Sequence, residues 1–304
     1  MSKALAVALI AVATLAARPG HAWEAESTHA GLTEQAALAA RLHETLARFH
    51  GRALGLYDRL VVGTPLHKEL TFVDPTTGGV PDARGGQSAL GWLVAGALLE
   101  ALPAERSSQH FYDPVHRTGL TGKEVAGLGY FLGASGRKPD LAAERLPALE
   151  WIHTDKNELG MPRFWRELAL SATAETREKR DQHLAYALVC AGAMLHVLQD
   201  MSSPSRVRDD LAAHLETLGA GAQDRGSRFE ELAALAYGRL ALPQGGGALR
   251  LMTARDFFSN KTQTGLADVT ARSWYSASTV PKPLPLKKDN TDLLDRLLAA
   301  QVFP

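Results

Sequence analysis

The chain has 304 residues, 45% of them hydrophobic, with 33 basic and 33 acidic side chains and one cysteine. Balanced charge excludes bulk electrostatic attraction to nucleic acid or to an anionic membrane surface. The lone Cys190 excludes an internal disulfide, so the fold must be held by its core, with or without bound metal.

Lys3 precedes a largely apolar run over residues 4–17, followed by Arg18-Pro19-Gly20-His21-Ala22. This is the pattern of a secretory signal peptide: the run is too short to span a membrane, and the small residues Gly20 and Ala22 stand where a signal peptidase cuts. Cleavage after Ala22 makes Trp23 the first mature residue, with a cut a residue or two away as the alternative. The mature chain is then expected to be secreted or periplasmic and to lack a transmembrane segment. Its length, about 280 residues, suits one large domain with a substantial core. The expected division is a signal peptide over 1–22, a helical domain over 23–280, and a proline-rich linker with a closing helix over 281–304.

Residues 27–49 predict a helix: Leu32, Ala36, Ala39, Leu42 and Leu46 recur at helical spacing, Ser27 or Thr28 can cap, and His29 falls in the first turn. Residues 60–86, rich in Gly, Pro, Thr and Asp, read as a long loop. Residues 88–102 are helical again, with Trp92, Ala95, Leu98 and Leu99 inward, Glu100 near the end and Pro103 closing. Gln109 to Pro114 is too polar and turn-prone for a core strand. Helices follow over 122–131, 141–152 and 162–200, the last broken near Ser171, then over 207–218 and 229–240 around a glycine-rich break at 219–226. A flexible loop covers 243–247, and 280–286 is the start of the extended linker. The closing helix, 290–300, sets Leu293, Leu294, Leu297 and Leu298 on one side. With no repeat and no convincing strand pairs, the chain is expected to be an all-α, single-domain helical bundle.

Within the 162–200 segment, every residue from 184 to 198 is apolar or small except Tyr186 and His196, so this helix should be buried on all sides. His196 and Asp200 stand four apart, one turn apart on one face, and Pro204 ends the helix. By themselves they admit two readings: a pair of ligands for a divalent metal such as zinc, or a hydrogen-bonded core histidine beside a polar helix end.

Five places together make the chain resemble the zinc-dependent bacterial phospholipases C and the single-strand-specific zinc nucleases, over roughly residues 23–235. They are Trp23, Thr28-His29, the run His110-Phe111-Tyr112-Asp113-Pro114, His196 and Asp200 with Pro204, and Glu230. The resemblance implies a helical bundle around zinc. His110, His196 and Asp200 would share one ion with an upstream carboxylate; the amine and carbonyl of Trp23, with His29 and again Asp200, would hold a second. The upstream position falls at Ala101, with Glu100 one residue early. One residue turns a helical side chain by about 100°, so Glu100 is expected to serve only if the helix shifts or frays. A third ion is not expected, because its histidine positions hold Arg206 and either Gly226 or Ser227, leaving Glu230 as a lone carboxylate. Up to two zinc ions follow, bridged by Asp200.

Arg206 has two readings: a bidentate grip on phosphate where a third ion would sit, or an ion pair with Asp209 or Asp210. Asp200 and Arg206 are therefore the candidate catalytic residues. His214 is a candidate for a relocated ligand, and His116 for a donor behind the ligands. His43, His50 and His67 are expected to be solvated, and His153 and His183 to belong to helix ends. Trp92, Trp151, Trp165 and Trp274 are expected in core or rim packing.

What the resemblance implies is a secreted metal-dependent phosphodiesterase acting on phospholipid or another phosphodiester. A non-catalytic relative with a structural metal or none is the rival, and a single-strand nuclease the third possibility. No stable nucleic-acid partner is expected from the charge balance.

Overall fold

The computed structural model describes residues 28–62, 87–101, 104–120, 145–210, 228–237 and 253–276. The expected signal peptide, Trp23, His67, His214, Gly226, Ser227, the helices expected at 122–131 and 290–300, and the proline-rich linker expected after 280 lie outside the described residues.

Most of what is described is helical, as the periodicity predicts. The helices are α1 (Ala30–Ala39), α2 (Leu42–Phe49), α3 (Ala89–Glu100), α4 (Ala104–Ser107) and α5 (Ala148–Trp151), then α6 (Met161–Thr173), α7 (Arg177–Asp200), α8 (Arg228–Tyr237), α9 (Ala254–Phe258) and α10 (Leu266–Ser273). Arg59–Leu60 pairs antiparallel with Gln87–Ser88, a strand pair too short to leave a period-two pattern in the sequence. No helix among the described residues is long and apolar enough to cross a membrane.

Several expected boundaries move, each for a local reason. The helix over 27–49 divides where Ala40 turns extended, giving α1 and α2. The long segment over 162–200 does break near Ser171, after Thr173; Thr176 then caps α7 by accepting from the Lys179 amide. Helix α5 begins only at Ala148, behind an extended Pro147. No α-helix starts at Val207. Arg206–Arg208 is a single 3-10 turn, closed by Asp209 at a left-handed φ of 50°. Helices α9 and α10 were not anticipated; α9 is opened by a Thr253–Asp256 capping box.

Helix α7 is the axis, and α3 lies against it. Helix α3 and the 184–198 part of α7 are apolar on nearly every side, which is why neither stretch shows an amphipathic stripe; the first two turns of α7 are charged. A Cβ on Gly96 would lie 2.0 Å from the Val189 carbonyl oxygen, and one on Gly192 would lie 1.9 Å from that of Leu93. The two glycines thus let the backbones touch. Around this crossing pack Trp92, Leu93, Leu99, Leu184, Leu188 and Val189, joined by Leu46, Leu56 and Leu60. Each such side chain, fully buried, contributes about 1.5–3 kcal/mol. A second cluster at the C-terminal end of α7 joins Val197 and Met201 to Tyr112, Ile152, Phe258 and Ala267. A set of buried polar side chains sits at the C-terminal ends of α3 and α7.

Candidate metal centre

Asp200, 1% exposed, ends α7 and is the point on which three histidines converge. Its Oδ2 lies 2.8 Å from His110 Nδ1 and 3.4 Å from His196 Nε2, while its Oδ1 lies 3.5 Å from His29 Nε2. The rings of His29 and His196 stack with centroids 3.7 Å apart and an interplanar angle of 18°, and His110 meets His196 edge-on at 5.3 Å. Ligand atoms of His29, His196 and Asp200 all lie within 4.8 Å of one another, so this buried trio could hold a metal ion.

Each histidine reaches this point from a different place in the chain. His29 stands just before α1, His110 follows the short α4, and His196 is one turn before the end of α7. Each is also held from behind. His196 Nδ1 donates to the Ala97 carbonyl oxygen at 2.7 Å. His29 Nδ1 donates to Gln199 Oε1 at 2.7 Å, and the Gln199 amide is fixed in turn by donating to Thr33 Oγ1 at 3.1 Å. His110 Nε2 meets Glu100 Oε1 at 3.1 Å. Carbonyl oxygens only accept, so His29 and His196 carry a hydrogen on Nδ1 and turn Nε2 toward Asp200, whereas His110 stands between two carboxylates, Asp200 at Nδ1 and Glu100 at Nε2, and can donate to either.

The electrostatics follow from burial against charge. Burial, aided by the neighbouring His29, lowers the pKa of His196 to about 4, so this ring is neutral at ordinary pH and its Nε2 can act as a ligand. Burial alone would raise the Asp200 carboxyl; the Arg206 guanidinium and the histidines overcome it and hold Asp200 well below the usual range. Burial also opposes charge on His110, but hydrogen bonds to Asp200 and Glu100 outweigh it and raise that pKa. Glu100 is brought to about 2, because Arg106, His110 and Trp151 together outweigh the desolvation that would raise it.

Glu100 reaches the centre with no shift or fraying of α3: the helix runs to Glu100 and Ala101 is its cap. Its side chain is fully buried and accepts from Arg106 Nη2 at 2.5 Å and Trp151 Nε1 at 2.9 Å, as well as facing His110. Arg206, 4% exposed, lies on the Asp200 side of the centre. Its Nη1 donates to the Ser107 carbonyl at 3.0 Å, its Nη2 is 3.7 Å from Asp200 Oδ2, and its Nε is 3.6 Å from Glu230 Oε1. The guanidinium stacks over Phe111 at 5.1 Å. Arg206 is therefore tied to the carboxylates of the centre. Asp209 accepts from Thr118 and Asp210 from Ser276. Glu230 is brought beside Arg206.

The other described histidines make their contacts elsewhere. His116, expected behind the ligands, instead pairs with Asp113 at 2.6 Å with its side chain 72% exposed. His43 is exposed and His50 half-buried. His153 donates to the Leu149 carbonyl near the end of α5, whereas His183 lies inside α7 and pairs with Glu167 at 2.7 Å. Trp92 is core; Trp165 and Trp274 are substantially exposed. Sequence reasoning missed Gln199, Arg106, Ser107 and the Ala97 carbonyl. Gln199 alone left a trace, as the one amide in an otherwise apolar run beside Asp200. No protein-family profile, curated protein or solved structure matches the chain.

Proposed function

We propose that the chain is an exported zinc-dependent phosphodiesterase, similar in its helical bundle to the phospholipases C and zinc nucleases and acting on phospholipid or another phosphodiester. One observation carries this: His29, His196 and Asp200 form a buried trio that could hold an ion, with both imidazoles held from behind by an acceptor and His110 facing the same carboxylate. Imidazole and carboxylate donors without thiolate suit zinc, and the division of Asp200 between His29 on one oxygen and His110 and His196 on the other suits up to two ions. The Trp23 amine is proposed to complete the His29 side. When bound, zinc supplies Lewis-acid charge for a phosphodiester's non-bridging oxygens.

The chain's own groups do the rest. Asp200 supplies negative charge between the histidines, and the buried hydrogen bonds keep the rings from turning. Phe229, Leu232, Trp274 and Tyr275 give a partly exposed apolar rim near Glu230 and the Arg206–Arg208 turn. Such a rim favours a substrate with an apolar part. The balanced charge weighs against a nuclease.

One observation favours the non-catalytic alternative: Arg206 is buried among Ser107, Asp200, Glu230 and Phe111, which leaves its guanidinium poorly placed to grip phosphate. The deciding experiment uses the mature protein purified from an exporting host. Zinc content is measured, then hydrolysis of a phosphocholine ester and of single-stranded DNA, before and after chelation and zinc return. Zinc-dependent hydrolysis of the phosphocholine ester is expected. Bound zinc with neither substrate hydrolysed sinks the catalytic reading.

A further inference from the structure

We infer that Glu100 is the positioning residue of this centre rather than one of its ligands, and that His110 faces the metal through Nδ1. The inference rests on the metal reading above and adds to it a role for each edge of His110. The two nitrogens of an imidazole lie on opposite edges of the ring. Asp200, the residue shared with His196 and His29, lies at the Nδ1 edge of His110, at 2.8 Å. Glu100 lies at the other edge, with Oε1 3.1 Å from Nε2. For an ion held by Asp200 and His196, Nδ1 would be the nearer nitrogen of His110, and the acceptor at Nε2 would lie on the far side of the ring.

Glu100 is also fully committed where it stands. Oε1 accepts from Trp151 Nε1 at 2.9 Å as well as from His110, and Oε2 accepts from Arg106 Nη2 at 2.5 Å. Arg106 is itself fixed, donating to Asn157 Oδ1 at 2.8 Å and lying over the Trp151 ring at 5.3 Å. Turning Glu100 inward would take the carboxylate from a buried guanidinium and from a half-buried indole at once, a costly exchange. The chain Arg106–Glu100–His110 instead does what carboxylates behind metal-binding histidines do: it fixes the hydrogen on the outer nitrogen, sets the ring plane and strengthens the inner nitrogen as a donor. His29 and His196 are held by neutral acceptors, Gln199 and the Ala97 carbonyl, and turn Nε2 inward. His110 is thus set apart in both respects, with a charged acceptor behind it and Nδ1 in front.

The test needs no assay of turnover. In the zinc-loaded wild-type protein, long-range proton–nitrogen correlation of the histidine rings should show His110 with its hydrogen on Nε2 and its Nδ1 coordinated, and His29 and His196 coordinated through Nε2. Coordination of His110 through Nε2 overturns the inference. Glu100→Gln keeps an acceptor for His110, so it should bind as many zinc ions as the wild type with roughly 10–100-fold weaker affinity. The cobalt-loaded variant should keep the visible band intensity of cobalt-loaded wild type. Loss of one zinc equivalent, or a change in band intensity that marks a lost ligand, makes Glu100 a ligand and overturns the inference. If Glu100→Gln does not fold, because Arg106 is left unpaired, the double variant Glu100→Gln/Arg106→Met carries the same comparison. A wild type that takes up no zinc overturns the metal reading and this inference with it; zinc bound with His110 coordinated through Nε2 overturns the inference alone.

Discussion

His196 donates its Nδ1 hydrogen to the backbone carbonyl of Ala97, 2.7 Å away on the neighbouring helix α3. That bond exists because Gly96 and Gly192 bring the two helix backbones into contact, with Gly192 one turn before His196. The crossing sets the plane of the imidazole, so packing and site chemistry are linked through backbone atoms.

Gly192→Ala tests this link. A Cβ there would lie 1.9 Å from the Leu93 carbonyl oxygen, so the helices must move apart. A loss of about 3 kcal/mol or more is expected in urea denaturation, at the upper end for overpacking. The surviving folded fraction should also bind zinc more weakly than wild type, because the acceptor for His196 recedes.

Asp200→Asn should abolish tight zinc binding and, with it, hydrolysis. Asp200 faces all three histidines, and an amide cannot supply its charge. Elemental analysis after dialysis reads this directly. Retention of zinc at the wild-type ratio would remove Asp200 from its shared position.

Arg206 is expected to matter first to stability. Arg206→Met leaves Glu230 without its guanidinium neighbour and removes the donor to the Ser107 carbonyl, and should cost about 3–5 kcal/mol, as for a broken buried pair. Adding Glu230→Gln should return much of that loss. Zinc content of both variants should stay at the wild-type value.

Cys190 lies on α7 and is fully buried. Burial pushes its thiol up to about 12, so almost no thiolate exists at neutral pH. Labelling with a thiol-specific disulfide reagent should therefore proceed only as fast as α7 opens, and at the free-thiol rate in denaturant. Rapid labelling of the native protein would show that α7 opens readily.

The helices were legible where a residue's neighbours in sequence decide its state. The apolar run of α7 and the extent of α3 are of this kind, and so is the His196–Asp200 spacing, since four residues make one turn. Boundaries failed where a single backbone angle decides, as at Ala40 and Asp209. Glu100 was the instructive case. Counting residues put it off the face expected of a ligand, and the structure has it at the rear of His110, where Arg106 and Trp151 hold it. Those partners come from elements 6 and 51 residues away, and no spacing rule reports on contacts of the second kind. The partners of Gln199 and of the Ala97 carbonyl, 170 and 99 residues distant, were invisible for the same reason.

Those long separations carry a consequence for the lifetime of the chain. His29 and His110 meet Asp200 only once α1, α3 and α7 are packed, so an unfolded chain offers an ion no comparable grip. In the reading proposed above, zinc then acts as a clasp on the native state by mass action, worth about 4 kcal/mol at a thousandfold excess over its dissociation constant. Export would deliver a loosely fastened chain, and local zinc supply would set the interval between secretion and proteolysis.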